Sequence, residues 1–213
     1  MLNAAVRLLD EEGPDALQTR RVARAAGTST MAVYTHFGGM RGLIAEVAEE
    51  SLRQFDTALT VPQTHDPVAD LMTTGAAYRR YAIERPHMYR LMFGSTSAHG
   101  INAPAHNLLT LTLAEIDQGY PSFAHVVRGV HRCMLAGRIT VGSADDDETV
   151  VATAAQFWSP MHGFVMLELA GFYGDDGAAV APVLAAMTSN LLVALGDSPE
   201  RVRQSQRAAF GAH

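Results

Sequence analysis

Apolar positions recur with a helical period along almost the whole chain. Leu2, Ala5, Val6 and Leu9 fall at i, i+3, i+4 and i+7, one face of a helix. Gly13-Pro14 stops that helix, with Gly as its C-cap. Thr19 caps a second short helix over 19–26, which Gly27 breaks. Ser29 or Thr30 caps a third over 30–37, which Gly38-Gly39 ends. A longer helix over 40–59 follows, with Leu43, Ile44, Val47, Leu52 and Phe55 on its apolar face.

Val61-Pro62 and Asp66-Pro67 then punctuate the chain. The pattern predicts helices over 68–84, 87–93, 106–118 and 121–135, with Pro121 in a first turn. Residues 94–104, rich in Gly, Ser and Thr, read as a loop, as does 142–147. The acidic run 145–148 suits the positive end of a helix over 149–170. A turn at 174–177 leads to a last long helix over 178–195, and 197–213 reads as a polar, frayed tail. No strand of useful length and no internal repeat appears. The expected fold is all-α: three short helices in front of a larger helical bundle, divided near residue 60 into 1–60 and 61–213.

Composition narrows the function. Hydrophobic residues make up 48% of 213 and charged residues 18%, enough to fill a core and too apolar for disorder. Sixteen basic residues, all Arg, face 22 acidic ones, a net charge of −6. Any nucleic-acid site must therefore be local. A single cysteine, Cys133, excludes a disulfide framework and a Cys-based zinc site. Without an apolar run of about 18 residues or a signal-peptide pattern, a soluble cytoplasmic protein with no membrane partner is expected.

Two short helices joined by Gly27-Thr28-Ser29 fit a helix-turn-helix. Local charge strengthens that reading. Between Ala16 and Ala45 the charged residues are Arg20, Arg21, Arg24 and Arg41, with no acid. Positive charge and helix N-termini attract phosphate. The second helix begins with small residues, which let a backbone enter a major groove, and Thr and Ala methyls can touch a thymine methyl. Val22, Ala25, Val33 and Phe37 belong to the core side, and Arg24 to a solvated face.

The run Arg20-Arg21-Val22-Ala23-Arg24-Ala25-Ala26-Gly27-Thr28-Ser29, followed by Tyr34-Thr35-His36-Phe37-Gly38, resembles the DNA-binding domain of TetR-family repressors. The first-helix stretch 4–13 and the start Arg41-Gly42-Leu43 match as well, so the resemblance spans about 2–60. It implies that Thr19 caps helix 2 and bonds a phosphate, and that Arg20 or Arg21 reaches a phosphate or base edge. It implies that Thr28, Ser29 and Thr30 lie at the mouth of the recognition helix. Met31, Ala32 and Thr35 would face bases, and Tyr34 and His36 would contact phosphates. Phosphate contacts position such a protein and base contacts specify sequence. Many relatives carry Lys where Met40 stands. Arg41 can substitute, although it points about 100° away on an ideal helix.

Phe157-Trp158-Ser159-Pro160-Met161-His162-Gly163-Phe164 resembles the Trp-x-x-x-His-Gly signature of one TetR subgroup's ligand-binding domain. Residues 78–82 and 85–93 resemble an earlier segment of the same subgroup. By this likeness the last two long helices pair with their mates in a homodimer, and the second domain binds a small molecule. Tyr78, Met88, Met92, Phe93, Met134, Trp158, His162 and Met166 are the candidate pocket residues, soft or aromatic as apolar pockets prefer. Each also has a plain packing role open to it, and His162 is as readily a satisfied core histidine. No metal-ligand spacing, nucleophile elbow or phosphate-cradling glycine loop occurs, so neither a catalytic residue nor a cofactor is expected.

The sequence is thus expected to encode a ligand-responsive, dimeric repressor on a palindromic double-stranded DNA operator. The alternatives are a small-molecule binding protein that has lost DNA binding, and an enzyme using the helical pocket.

Overall fold

Helix boundaries follow the chain's stop signals closely. The computed structural model describes residues 1–93 and 107–211, and the predicted loop at 94–104 lies outside them, as does His106. The described residues form eleven α-helices and no strand: α1 (Leu2–Glu12), α2 (Thr19–Ala25), α3 (Thr30–Phe37), α4 (Met40–Leu59), α5 (Pro67–Glu84), α6 (Pro86–Phe93), α7 (Leu113–Gly119), α8 (Pro121–Leu135), α9 (Asp147–Leu169), α10 (Ala186–Ala194) and α11 (Pro199–Phe210). Gly13 ends α1 at φ 82°, a backbone conformation suited to glycine, and its N–H bonds Leu9 O.

Four expectations change. The helix expected over 106–118 is confined to α7, Leu113–Gly119, because Thr112 caps it with its hydroxyl on the Glu115 N–H; a 3-10 turn, Leu108–Thr110, precedes it. Thr19 is the first residue of α2, not its cap; Gln18 occupies the cap position and makes no side-chain bond to the helix. The last long helix opens as a π-helical stretch, Val180–Ala185, before α10. Pro182 explains the widening: it has no N–H, and its ring clashes with an α-helical carbonyl four residues back. The tail is a helix, α11, capped by Ser198, whose hydroxyl accepts the Arg201 N–H at 3.2 Å. Val202 and Ser205 on it are buried, which is why it does not fray.

The chain folds as two compact units: residues 1–57 with 81–93, and residues 58–80 with 107–211. The expected division at residue 60 therefore misses the place of α6. In the first unit, Leu9 of α1, Val22 of α2, Val33 of α3 and Leu43 and Val47 of α4 share one core with Met88 and Leu91 of α6. Arg85 donates to Asp10 at 2.7 Å, and the Ser51 hydroxyl donates to Met88 Sδ at 3.3 Å. Phe55, Tyr81, Tyr89 and Phe93 form an aromatic group beside this core, with ring centroids 5.0–6.3 Å apart. Each fully buried Val or Leu contributes roughly 1.5–3 kcal/mol relative to exposure.

The second unit centres on Val68 and Leu71 of α5, Val127 and Val130 of α8, Val150 and Ala154 of α9, and Leu192 of α10. A charge network underlies it. Arg138, after α8, donates to the buried Asp197 at 2.6 Å, to Asp66 at 3.0 Å and to Ser205 at 3.0 Å. Arg132 likewise donates to Asp70 at 2.7 Å and to the Thr64 carbonyl at 2.8 Å. Burial opposes ionisation of Asp70, yet the Thr64 N–H and hydroxyl and the Arg132 guanidinium outweigh it and hold the carboxyl below its ordinary range. These bonds tie the start of α5, the end of α8 and α11 to one another.

Candidate functional site

The first unit presents its helix-turn-helix through backbone chemistry that the sequence dictates. Gly27 adopts φ 63°, which lets the chain reverse after α2. The Thr28 N–H then bonds Ala23 O at 2.9 Å and closes the helix end. Ser29, in an extended conformation, accepts the Ala32 N–H on its hydroxyl at 3.2 Å and so caps α3. Gly38, at φ 68°, ends α3 after eight residues. Gly42 makes the next junction possible: a Cβ there would stand 1.8 Å from Phe37 O. Val22 and Val33 face the core and Phe37 packs partly against it, whereas Ala25, expected on the core side, is exposed at the end of α2.

What remains outward is the set of residues named from sequence. Arg20, Thr28, Ser29, Thr30, Thr35, His36 and Arg41 are exposed, as are Met31 at 70% and Tyr34 at 57%. Thr19, Arg21 and Ala32 are half-buried. Arg21 is held by Glu12 at 2.5 Å, so of the two neighbouring arginines Arg20 is the more available to a phosphate. Met40 packs partly against the core, so the position where many relatives carry Lys serves packing in this chain. Tyr34 lies across Gly39, where a Cβ would meet its ring at 3.4 Å. Exposed arginines and a capped, exposed helix start offer a polyanion positive charge and N–H groups.

The second unit brings three of its candidates together. The Trp158 indole N–H donates to the Tyr78 hydroxyl at 3.2 Å, and that hydroxyl lies 3.4 Å from His162 Nδ1. Phe123 packs on Trp158 with centroids 5.4 Å apart. Burial lowers the His162 pKa and favours the neutral ring. Met166 is half-buried on α9, and Met134 is part of the unit's core. Met88, Met92 and Phe93 lie instead in the first unit, on α6, where Met88 is fully buried and Phe93 packs on Phe55 and Tyr89. Burial also pushes the Cys133 thiol up to about 12, that of an inert packing residue. Among the described residues no three His, Cys, Asp or Glu side chains gather as for a metal ion. No described helix is long and apolar enough to cross a membrane.

Sequence reasoning missed the Arg79–Glu168 pair, with bonds of 2.8 and 2.6 Å between α5 and α9. It also missed Glu12 as the holder of Arg21. Arg79 and Glu168 are 89 residues apart, and the Arg21–Glu12 pair spans the turn between α1 and α2, so no helical spacing announces either pair.

A capped helix-turn-helix in a stretch whose charged residues are all arginines, followed by a separate helical unit, defines the class of helix-turn-helix DNA-binding regulators. Residues 71–191 match the tetracyclin repressor-like C-terminal domain, and residues 1–47 match the bacterial regulatory proteins of the tetR family. The chain belongs to the TetR family of transcriptional regulators. It is similar to an uncharacterized HTH-type transcriptional regulator of Mycobacterium tuberculosis, 25% identical over 82% of this chain and 71% of that one. A solved protein of unknown function from Rhodococcus sp. RHA1 shares the fold with a TM-score of 0.67 and 26% identity, covering 92% of this chain and 93% of that one. A TetR variant of Acinetobacter baumannii solved with minocycline has a TM-score of 0.55 at 19% identity, covering 98% and 95%, and shows the fold alone.

Proposed function

We propose that this chain is a repressor that acts as a homodimer on a palindromic operator and leaves it when a small molecule binds the second unit. One observation carries the DNA reading: α3 is held by Ser29 and Gly38 with its outer face exposed, within a stretch whose charged residues are all arginines. In this reading Arg20, Tyr34, His36 and Arg41 contact phosphates. Thr30, Met31, Ala32 and Thr35 face bases, and Thr28 and Ser29 lie at the groove's edge. Two-fold symmetry then calls for half-sites one helical turn, ~34–36 Å, apart.

Ligand recognition falls to the Tyr78–Trp158–His162 group. The Tyr78 hydroxyl lies within hydrogen-bond reach of both the indole and the imidazole, and the Phe123 ring packs on the indole. A ligand that exchanges these bonds for its own shifts the protein between conformers only where its affinity for them differs, and such a difference is what allostery requires.

The test is binding of the full chain to a duplex from its own upstream region at two salt concentrations, with and without candidate inducers. Specific binding that falls steeply with salt supports the DNA reading. Saturable small-molecule binding with no DNA affinity at either salt would instead favour a binding protein. An inducer that binds without changing operator affinity removes the ligand-release step.

A further inference from the structure

We propose that α3 reads its operator chiefly through the C5-methyl groups of thymines, using Met31, Ala32 and Thr35 as an apolar reading surface. This rests on the DNA-binding reading above and names what that site recognises.

The side chains of α3, Thr30–Phe37, include no Arg, Lys, Asn, Gln, Asp or Glu. Those are the types that bond the guanine, adenine and cytosine edges in the major groove. Two of the hydroxyls nearby are engaged within the helix. Ser29 Oγ accepts the Ala32 N–H, and the Thr35 hydroxyl donates to Met31 O at 3.0 Å. With its proton turned back to the helix, Thr35 offers its methyl. Tyr34 lies against Gly39 at the start of α4, on the side of the helix end rather than its opening turn.

Met31 completes the surface. It sits in the first turn of α3 and is 70% exposed, while Val33, two residues on, is fully buried. An apolar side chain held in water gains by being covered. Arg20, Arg24 and Arg41 are exposed as well and no acid lies between residues 16 and 45, a local charge that suits a polyanion as the cover. Their phosphate contacts carry no sequence information. Of the residues that face bases in this reading, Met31 and Ala32 offer only apolar contact and Thr35 its methyl, and the apolar group they meet in the major groove is the thymine methyl.

The experiment selects bound duplexes from a random pool with the full-length protein. Each thymine of the enriched half-site is then replaced by deoxyuridine, which removes only the methyl. One or two positions per half-site should lose about three- to five-fold in affinity, the effect of one buried methyl. Met31→Ala should erase that sensitivity at one of them. Arg20→Ala should lower affinity for every duplex and leave the sensitivity intact. An enriched operator indifferent to every deoxyuridine overturns the methyl readout while DNA binding stands. If the pool yields no enriched duplex, the DNA reading falls and this inference with it.

Discussion

Arg20 and Arg21 are neighbours with the same charge, and one carboxylate separates their roles. Glu12 holds Arg21 to the end of α1, whereas Arg20 is exposed at the start of α2. Arg20→Ala should weaken operator binding on all sequences and reduce the salt slope by about 1. Arg21→Ala should shift stability by no more than about 1 kcal/mol, since the pair is half-exposed. Titration of both variants at several salt concentrations distinguishes them, and equal salt slopes would contradict the assignment. His162 gives a second test at this scale. Its pKa is lowered by burial, so the unfolded chain binds a proton more readily than the folded one. Stability should therefore fall as pH drops from above ~6.5, the ordinary histidine value, towards the lowered value. Thermal melts at pH 7.5 and 5.5 should show a drop that His162→Gln diminishes. Asp66 and Asp70 act lower: burial opposes their ionisation, but hydrogen bonds and arginines outweigh it and hold both pKa values below the ordinary range. Their contribution is lost only as pH falls below ~4 towards those lowered values.

Helices were legible where a local stop signal stands beside a strong period, and obscure where tertiary bonds decide. Ser29 and Gly38 bracket α3, and Pro86 and Pro121 open α6 and α8, so their limits follow from sequence. The Ser198-Pro199 start of α11 is equally local, but its buried face is only Val202 and Ser205, too narrow to stand out from a polar stretch. The place of α6 was hidden because Met88 and Leu91 would suit any core; only the fold shows that theirs is the core of α1–α4. The Trp158–His162 spacing was readable on one helix, whereas Tyr78 joins them from α5, 80 residues away from Trp158. Gly42 is the least legible residue of the DNA-binding unit, since its requirement comes from the carbonyl of Phe37. Gly42→Ala should open the α3–α4 junction, lower stability and abolish operator binding. Denaturation and DNA titration of this variant check it, and a stable variant with full affinity would show that the junction tolerates a side chain.

At the scale of the whole molecule, the same glycine argument points outside the single chain. Gly163 lies inside α9, where glycine costs about 1 kcal/mol relative to alanine. Among the described residues, its own helix turn aside, nothing stands within 4 Å of a Cβ built there, in contrast to the 1.8 Å clash at Gly42. Packing among the described residues therefore gives no reason for the glycine. In the proposed homodimer, α9 meets its mate, and a missing Cβ allows two backbones to come close. Gly163→Ala should then have opposite effects on two measurements. The isolated chain, at low concentration, should gain up to about 1 kcal/mol in denaturation. Dimerisation, followed by sedimentation across a concentration series, should weaken, and operator affinity should fall with it because both half-sites must be held at once. A variant that is more stable, equally dimeric and equally tight on DNA would move the interface away from this face of α9. Only DNA affinity that tracks the dimer population, rather than chain stability, would tie the second unit's interface to the reading by α3.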